Sequence, residues 1–245
     1  MTAVIVHACL RDGHGGSPTT VVVDEDVPPA AAPGTSHTVW VGAGPALRFF
    51  TATGELPACG HGTVAALAVL GPGEYTLRAG GRTFGGRAWA DGELVAAAFD
   101  PGPVTLREPG PAEVAPVLAA LGVGPGPAVV ASVGRARLLV PVATRAELFA
   151  LAPDRAALRA ATDAAGLLGC YVYCEPASDG RAAARMFAPS IGVPEDIANA
   201  NSTACLAAAR RGSVTVDMGD ALGEPATITA TFDNGRIEVG GACRT

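Results

Sequence analysis

The chain of 245 residues has neither lysine nor glutamine, so all 17 of its basic residues are arginines. A protein without lysine cannot hold a cofactor or substrate as an internal Schiff base, which excludes pyridoxal-phosphate enzymes and Schiff-base aldolases. It also cannot carry a P-loop, because that phosphate-binding motif requires a lysine. The absence of lysine therefore removes several large classes of enzyme.

Charged residues are scarce, at 16% of the chain, and the formal net charge is −6 with an isoelectric point of about 5.2. No stripe of basic residues is present, so we expect neither nucleic acid nor a membrane surface as a partner. The longest apolar runs, such as residues 65–70, are far shorter than the ~20 residues that cross a bilayer. The N-terminal residues lack a charged region and a small-residue cleavage site, so we expect a cytoplasmic protein.

Only four histidines and six cysteines are available as metal ligands or nucleophiles. The histidines all lie in the first quarter of the chain, whereas Cys170 and Cys174 lie in the second half. The spacing of these two cysteines is not that of a zinc-binding or redox pair. A reducing compartment also disfavours disulfides. We therefore predict free thiols, no metal site and no cofactor.

The order of apolar segments and turns predicts an α+β protein built from two similar halves. Each half carries several strand patterns and one short helix, over residues 64–70 and 204–209, that is too apolar for a surface position. A proline-rich linker at residues 100–111 separates the halves, and hairpin-type turns favour antiparallel pairing. We predict two pseudo-symmetric lobes, residues 1–104 and 105–245, each a curled, mostly antiparallel sheet around a central helix.

A polar segment precedes each of these two helices, at residues 54–63 and 194–203. The first ends at Thr63, a candidate N-cap, and the second contains two of the three asparagines of the chain. The N-terminus of a buried helix carries unpaired N–H groups and partial positive charge, so two such ends facing one cleft would hold a small carboxylate. The same composition also fits helix capping alone.

Three segments carry distinctive short motifs. They are GSPTTVVV at residues 16–23, ELPACGHGT at residues 55–63 and RMFAPSIGVPED at residues 185–196. In the same order, these segments resemble the GNPxxVV, ELPFxGHxT and RxFxPxxGxxED motifs of the phenazine-biosynthesis PhzF-like isomerase family. The resemblance extends over nearly the whole chain, including its closing strands.

That resemblance implies a diaminopimelate-epimerase-like fold with the active site between the two helix N-termini. It also implies a cofactor-independent isomerase that moves a proton, and with it a double bond, on a small unsaturated amino or imino acid. Family members are often homodimers, so a homodimer is expected. Some act in bacterial antibiotic or other secondary-metabolite pathways, including those that build substituted proline units, and we expect such a role here.

Three positions depart from the family's motifs. His37, in the segment SHTVWV, stands where the SETxFV strand of the family has its acid/base glutamate. Asn201 stands where the EDPATGSA segment has a functional serine, and Ser17 replaces the asparagine of GNP, whereas Asp196 is retained. An imidazole titrates at about 6.5 if unperturbed, so His37 can replace the glutamate as base. A buried histidine with a structural role is the alternative.

The predicted catalytic residues are His37 as proton acceptor, Asp196 as an orienting or shuttling group, and His61 as a hydrogen-bond partner of the substrate or of the cleft. The predicted substrate-binding residues are Ser17, Cys59, Gly60, Gly62, Thr63, Asn199, Asn201 and Ser202. The expected partner is a small-molecule carboxylate.

Three other functions stay open. A two-thiol racemase or epimerase would use Cys59, but the matching second position falls near Asn199, and Cys205 lies further along, inside the helix. A cysteine hydrolase using Cys59 and His61 is disfavoured, because residues two apart in a turn rarely form the required hydrogen bond. A non-catalytic carboxylate-binding protein on the same fold would account for the loss of the family's glutamate.

Overall fold

The computed structural model describes residues 2–23, 32–176 and 178–245, which form seventeen β-strands and five α-helices. The strands of the first half are β1 (Thr2–Leu10), β2 (Ser17–Val23), β3 (His37–Gly42), β4 (Ala46–Thr51), β5 (Gly54–Leu56), β6 (Gly73–Ala79), β7 (Arg82–Asp91) and β8 (Leu94–Phe99). Those of the second half are β9 (Thr105–Arg107), β10 (Val129–Val133), β11 (Arg135–Val142), β12 (Cys170–Cys174), β13 (Ala182–Ala188), β14 (Val193–Asp196), β15 (Val214–Met218), β16 (Ala226–Asp233) and β17 (Arg236–Arg244). The helices are α1 (Gly60–Leu70), α2 (Pro111–Leu121), α3 (Arg145–Ala150), α4 (Arg155–Ala164) and α5 (Ala200–Arg210).

Hydrogen bonds join the described strands into one continuous network that is mostly antiparallel. Parallel pairing is confined to four strand pairs, β2–β3, β4–β6, β11–β12 and β13–β15, among the residues that the structure describes. The turn Asp233-Asn234-Gly235 forms the hairpin between β16 and β17, and Asn234 and Gly235 both have positive φ, as a type I′ turn requires. The predicted class, sheets of mostly antiparallel strands with few helices, is confirmed.

Two helices, α1 and α5, occupy the centre of the fold. In α1 every residue from Gly60 to Ala68 is buried, and the helix packs against β1, β2, β8 and β17. Helix α5 packs against β10, β16 and β17. Because both helices are apolar around most of their circumference, sheet can cover them on several sides. The predicted central helix of each lobe is therefore confirmed.

The terminal strand β17 connects the two halves of the chain. It pairs with β16 through Ala230↔Val239 and with β8 through Phe99↔Val239. Strand β9 pairs with β10 and so belongs to the second half, although it lies inside the predicted linker. The division at residues 104 and 105 stays a prediction. No helix among the described residues is both long and apolar enough to span a membrane.

Both central helices begin four residues earlier than the sequence indicates. Helix α1 starts at Gly60 with Cys59 as its N-cap residue, so the prediction of Thr63 as N-cap is wrong. Thr63 lies within the first turn, and its hydroxyl donates a hydrogen bond to the carbonyl of Cys59 at 2.8 Å. Helix α5 starts at Ala200 with Asn199 as N-cap. The last four residues of each polar segment therefore form the first turn of a helix, whereas the earlier residues include the short strands β5 and β14.

Candidate active site

The N-termini of α1 and α5 abut each other. A Cβ atom placed on Gly60 would lie only 2.8 Å from Cβ of Ala200 and 3.0 Å from the backbone nitrogen of Asn201. Real Cβ atoms are not found so close to other heavy atoms, so glycine is required at position 60 for the helix starts to meet. Two partly positive helix ends, one from each half of the chain, are thereby brought to the same place.

A cavity of about 150 Å³ lies at these helix ends. Eight of the residues predicted from the sequence line it: His37, Cys59, Gly60, His61, Thr63, Asp196, Asn199 and Asn201. The structure adds four charged residues to the lining, namely Arg82, Asp100, Arg135 and Arg137. Cavities of this size in other proteins accommodate a single aromatic ring, so a small cyclic ligand fits.

Three of the predicted substrate-binding residues do not line the cavity. Ser17 is buried in β2, opposite Ala8 of β1. Gly62 lies against Cys59 and Phe49, where a Cβ atom would come 3.1 Å from the Cys59 sulfur. Ser202 is fully buried in the first turn of α5. Contact of these three residues with the substrate stays a prediction, and their positions away from the cavity lining do not support it.

The two histidines predicted to be catalytic lie in direct contact. The ring centroids of His37 and His61 are 4.4 Å apart, and the rings are nearly perpendicular. Nδ1 of His61 lies 2.8 Å from the carbonyl oxygen of Ala198, so Nδ1–H donates across the interface between the halves. Nδ1 of His37 lies 3.0 Å from the Ser36 hydroxyl. Each ring therefore has its Nδ1 hydrogen-bonded, which leaves Nε2 for other partners.

The protein environment shifts the pKa values of the two imidazoles in opposite directions. Burial, and then the charge on His61, lower the pKa of His37 from 6.5 to about 4, against an opposing effect of Asp196. Burial alone would also lower the pKa of His61. The charges of Cys59 and Asp196 and the hydrogen bonds to Cys59 and Ala198 outweigh it and raise the pKa of His61 to about 9. At neutral pH the site thus holds a neutral His37 beside a cationic His61.

Asp196 is fixed by the N-terminal turn of α5. Its carboxylate accepts a hydrogen bond of 2.9 Å from the side-chain amide of Asn199. The oxygen of the same amide accepts a hydrogen bond of 2.9 Å from the backbone N–H of Ser202, which caps the helix. Asn199 therefore has a capping role and also orients the acidic group.

Cys59 completes a cluster with the two histidines. Its sulfur lies 3.5 Å from Nε2 of His61, and the ligand-type atoms of His37, Cys59 and His61 all lie within 4.8 Å of one another. Imidazole and thiolate groups suit zinc, and metal-bound histidines commonly have their second nitrogen hydrogen-bonded to oxygen, as both are here. This is where a transition metal would bind. In the sequence, only the pair Cys170 and Cys174 invited comparison with a zinc site, and the absence of a metal stays a prediction.

Sequence reasoning missed Arg137 altogether. This side chain of β11 is only 2% exposed and lines the cavity. One signal was available: within β11, Arg137 directly precedes the apolar run of residues 138–142, so burial of its neighbours was foreseeable. A charged residue at the start of a strand nevertheless more often lies at the surface.

Comparisons with known proteins agree with this architecture. The family model described as phenazine biosynthesis-like protein, PhzC-PhzF, matches residues 30–243. Two curated relatives, both called uncharacterized isomerase YddE, come from Salmonella typhimurium and Escherichia coli O157:H7 and are 31% identical over 171 residues. These alignments cover 64% of this chain, and the chain spans only 57% of the length of either relative.

Solved structures establish the same fold. A phenazine biosynthesis protein of the PhzF family from Bacillus anthracis superposes with a TM-score of 0.79 at 17% identity, over 99% of this chain and 97% of the other. A hydroxyproline epimerase from Agrobacterium vitis, solved with trans-4-hydroxy-L-proline, gives a TM-score of 0.58 at 12% identity, over 99% and 88% of the chains. With matching motifs, fold and family model, the chain belongs to the phenazine biosynthesis-like protein family.

Proposed function

We propose that the protein is a cofactor-independent isomerase that moves a proton, and with it a double bond, on a small unsaturated amino or imino acid. One observation carries this proposal: two touching imidazoles with opposite pKa shifts line a small cavity at two facing helix N-termini. Acid/base sites often contain such pairs, whose surroundings drive their pKa values apart.

In the proposed reaction, neutral His37 removes a proton from a carbon adjacent to the carboxylate and to a double bond. The electron pair left behind delocalises into the carboxylate and along the double bond. The imidazolium of His37, whose N–H exchanges with solvent, then donates a proton to the far end of this system, so that the double bond moves and no atom is gained or lost. General bases of this kind typically contribute 10²–10⁴-fold to the rate.

The charge that develops on the carboxylate is stabilised by groups already in place. Cationic His61 lies beside His37, and residues of the first turns of α1 and α5 line the same cavity. Such preorganised donors act most strongly where charge appears in the transition state. Asp196, held by Asn199, favours the imidazolium form of His37 and so helps it to accept the proton.

A thiol-dependent epimerase is the second candidate, because the Cys59 sulfur is 3.5 Å from Nε2 of His61 in the same cavity. A two-thiol mechanism also needs a thiol on the opposite helix. Asn199 and Asn201 occupy that side of the cavity, and Cys205 is fully buried within α5. The double-bond isomerase therefore accounts for more of the site.

The proposal is tested with 3,4-dehydro-L-proline, a small cyclic amino acid whose α proton is next to both a carboxylate and a double bond. Incubation in D₂O is followed by proton NMR, with L-proline as the saturated control. We expect loss of the alkene signals and deuterium at the ring carbon that receives the proton. Binding of the probe without any exchange would favour a non-catalytic carboxylate-binding protein instead.

The biological setting is also a proposal. We propose a cytoplasmic homodimer that acts in antibiotic or other secondary metabolism, with a substituted proline unit as one candidate product. Light scattering tests the assembly, and a monomer would contradict the dimer without affecting the chemistry.

A further inference from the structure

Arg137 is a buried cation for which the described residues supply no anion. Its exposed fraction is 2%, and no carboxylate among these residues forms an ion pair with it. Its two hydrogen bonds go to neutral oxygens, namely the carbonyl of Arg135 at 2.7 Å and the hydroxyl of Ser202 at 3.3 Å. The Nε–H group is buried without an acceptor. Three of the five N–H donors of the guanidinium are therefore unused.

A second buried arginine shows what a satisfied guanidinium looks like in this protein. Arg185 forms two hydrogen bonds of 2.8 Å to the carboxylate of Glu195, and it also donates to the carbonyls of Leu148 and Leu151. A buried charge without such partners is strongly unfavourable. Arg137 thus differs from Arg185 in lacking the anion that would offset its burial.

The position of Arg137 indicates where that anion belongs. The side chain lines the cavity that also contains His37 and His61, and it contacts Ser202 in the first turn of α5. A full positive charge therefore lies beside the partial positive charge of a helix N-terminus. The planar guanidinium matches a carboxylate geometrically, since each of its two terminal nitrogens has a further N–H that can donate to one carboxylate oxygen.

We propose that Arg137 is the ion-pair partner of the substrate's carboxylate and so determines that the cavity accepts small acids. This deepens the proposed function by naming the charged group that binds the substrate, and it adds a residue outside the family-like motifs. It also gives a physical reason for an uncompensated charge in the folded protein: the ligand, when bound, supplies the missing acceptor.

The experiment compares two uncharged-ring probes of equal shape, pyrrole-2-carboxylate and pyrrole-2-carboxamide, by calorimetry and ligand-detected NMR. Neither probe has a proton on a saturated α carbon, so binding is measured without turnover. For Arg137→Met we expect carboxylate affinity to fall roughly 10- to 100-fold, as the loss of a charged hydrogen-bonded pair implies. Carboxamide affinity should change less than about threefold, and Arg137→Lys should bind the carboxylate with intermediate affinity.

Thermal unfolding without ligand provides the matched control. Arg137→Met should unfold at the wild-type temperature or above it, because it removes an unpaired buried charge. Arg185→Met should unfold at a lower temperature, because it leaves the Glu195 carboxylate without its ion-pair partner. An Arg137→Met protein that fails to fold, or that binds the carboxylate as the wild type does, would overturn the proposal. An equal loss of affinity for both probes in Arg137→Met, or no carboxylate binding by the wild type, would also overturn it.

The outcome is separable from that of the proposed isomerase. If Arg137→Met loses carboxylate binding but the wild type never exchanges the proton of 3,4-dehydro-L-proline, Arg137 keeps its role and the catalytic proposal fails. If proton exchange occurs and is insensitive to Arg137→Met in both kcat and KM, the isomerase survives and the role of Arg137 fails.

Discussion

Replacing His37 by asparagine should make the protein more resistant to mild acid. The pKa of His37 is about 4 in the folded protein, against about 6.5 in an unfolded chain. Between these values the unfolded chain binds a proton that the folded protein does not. The contribution of His37 to stability is thus fully present above pH 6.5 and is lost as the pH falls towards 4. Asparagine does not titrate, so the variant should not show this loss.

The magnitude follows from the two pKa values. Between pH 7 and pH 5, proton uptake by the unfolded chain at this one position lowers the free energy of unfolding by about 2 kcal/mol. For a protein of this size, that corresponds to a drop of about 4–8 °C in melting temperature. The chosen window stays above the range in which ordinary carboxylates titrate, so His37 dominates the difference between wild type and variant.

The assay is urea or thermal unfolding of wild type and His37→Asn at pH 7 and pH 5 in the same buffer system. His14→Asn removes an exposed imidazole and controls for the loss of a histidine as such. The difference between the two pH values, not the absolute stability, is the quantity compared. If His37→Asn loses as much stability as the wild type between pH 7 and pH 5, the lowered pKa of His37 is refuted.

Three further outcomes are expected. The pH profile of kcat/KM should rise through an apparent pKa near 4, not 6.5, and should fall near 9 as His61 loses its proton. A single rise near 6.5 would contradict the shifted pKa values of the two histidines. Cys59→Ser should keep activity within about tenfold and move the alkaline limb to lower pH, because the Cys59 charge helps to raise the pKa of His61, whereas a loss of about 10³ would indicate thiol catalysis. Micromolar Zn²⁺ should inhibit reversibly by binding the cluster of His37, Cys59 and His61, and EDTA alone should leave activity intact; inactivation by EDTA would show that a metal is required.

The fold could be predicted from the sequence because Gly- and Pro-rich turns separate its apolar segments clearly. Apolar runs between Gly- and Pro-rich turns mark strands such as Cys170–Cys174 and Leu94–Phe99. The two central helices were recognised from their uniform apolarity, but their starts were placed too late. Apolar periodicity marks a helix only from its first apolar residues. Polar residues such as Asn201 and Thr203, which form the first turn of α5, were therefore not assigned to it.

The candidate site was only partly predictable. The family-like motifs indicated His61 and Asp196, and the position of a missing glutamate indicated His37. The contact between His37 and His61 could not be read from the sequence, because it depends on how the start of β3 lies against the start of α1. The opposite pKa shifts depend on that contact and on Ala198 from the other half of the chain.

Arg137 shows the limit of motif-based reasoning. It lies in no family-like motif, and a charged residue near the start of a strand more often lies at the surface. Only in the folded protein is its side chain seen to be buried next to Ser202, with no ion-pair partner among the described residues. Its role therefore had to be inferred from an unsatisfied group in the folded protein.

The central claim, that His37 is the base for proton transfer, is tested most directly by deuterium incorporation into 3,4-dehydro-L-proline. The rate is measured in D₂O for wild type, His37→Ala and His37→Glu, with the melting temperature of each preparation recorded alongside. We predict that His37→Ala stays folded but loses 10²–10⁴-fold in rate, and that His37→Glu recovers part of the activity by supplying a carboxylate base. A folded His37→Ala protein that incorporates deuterium at nearly the wild-type rate would contradict the account.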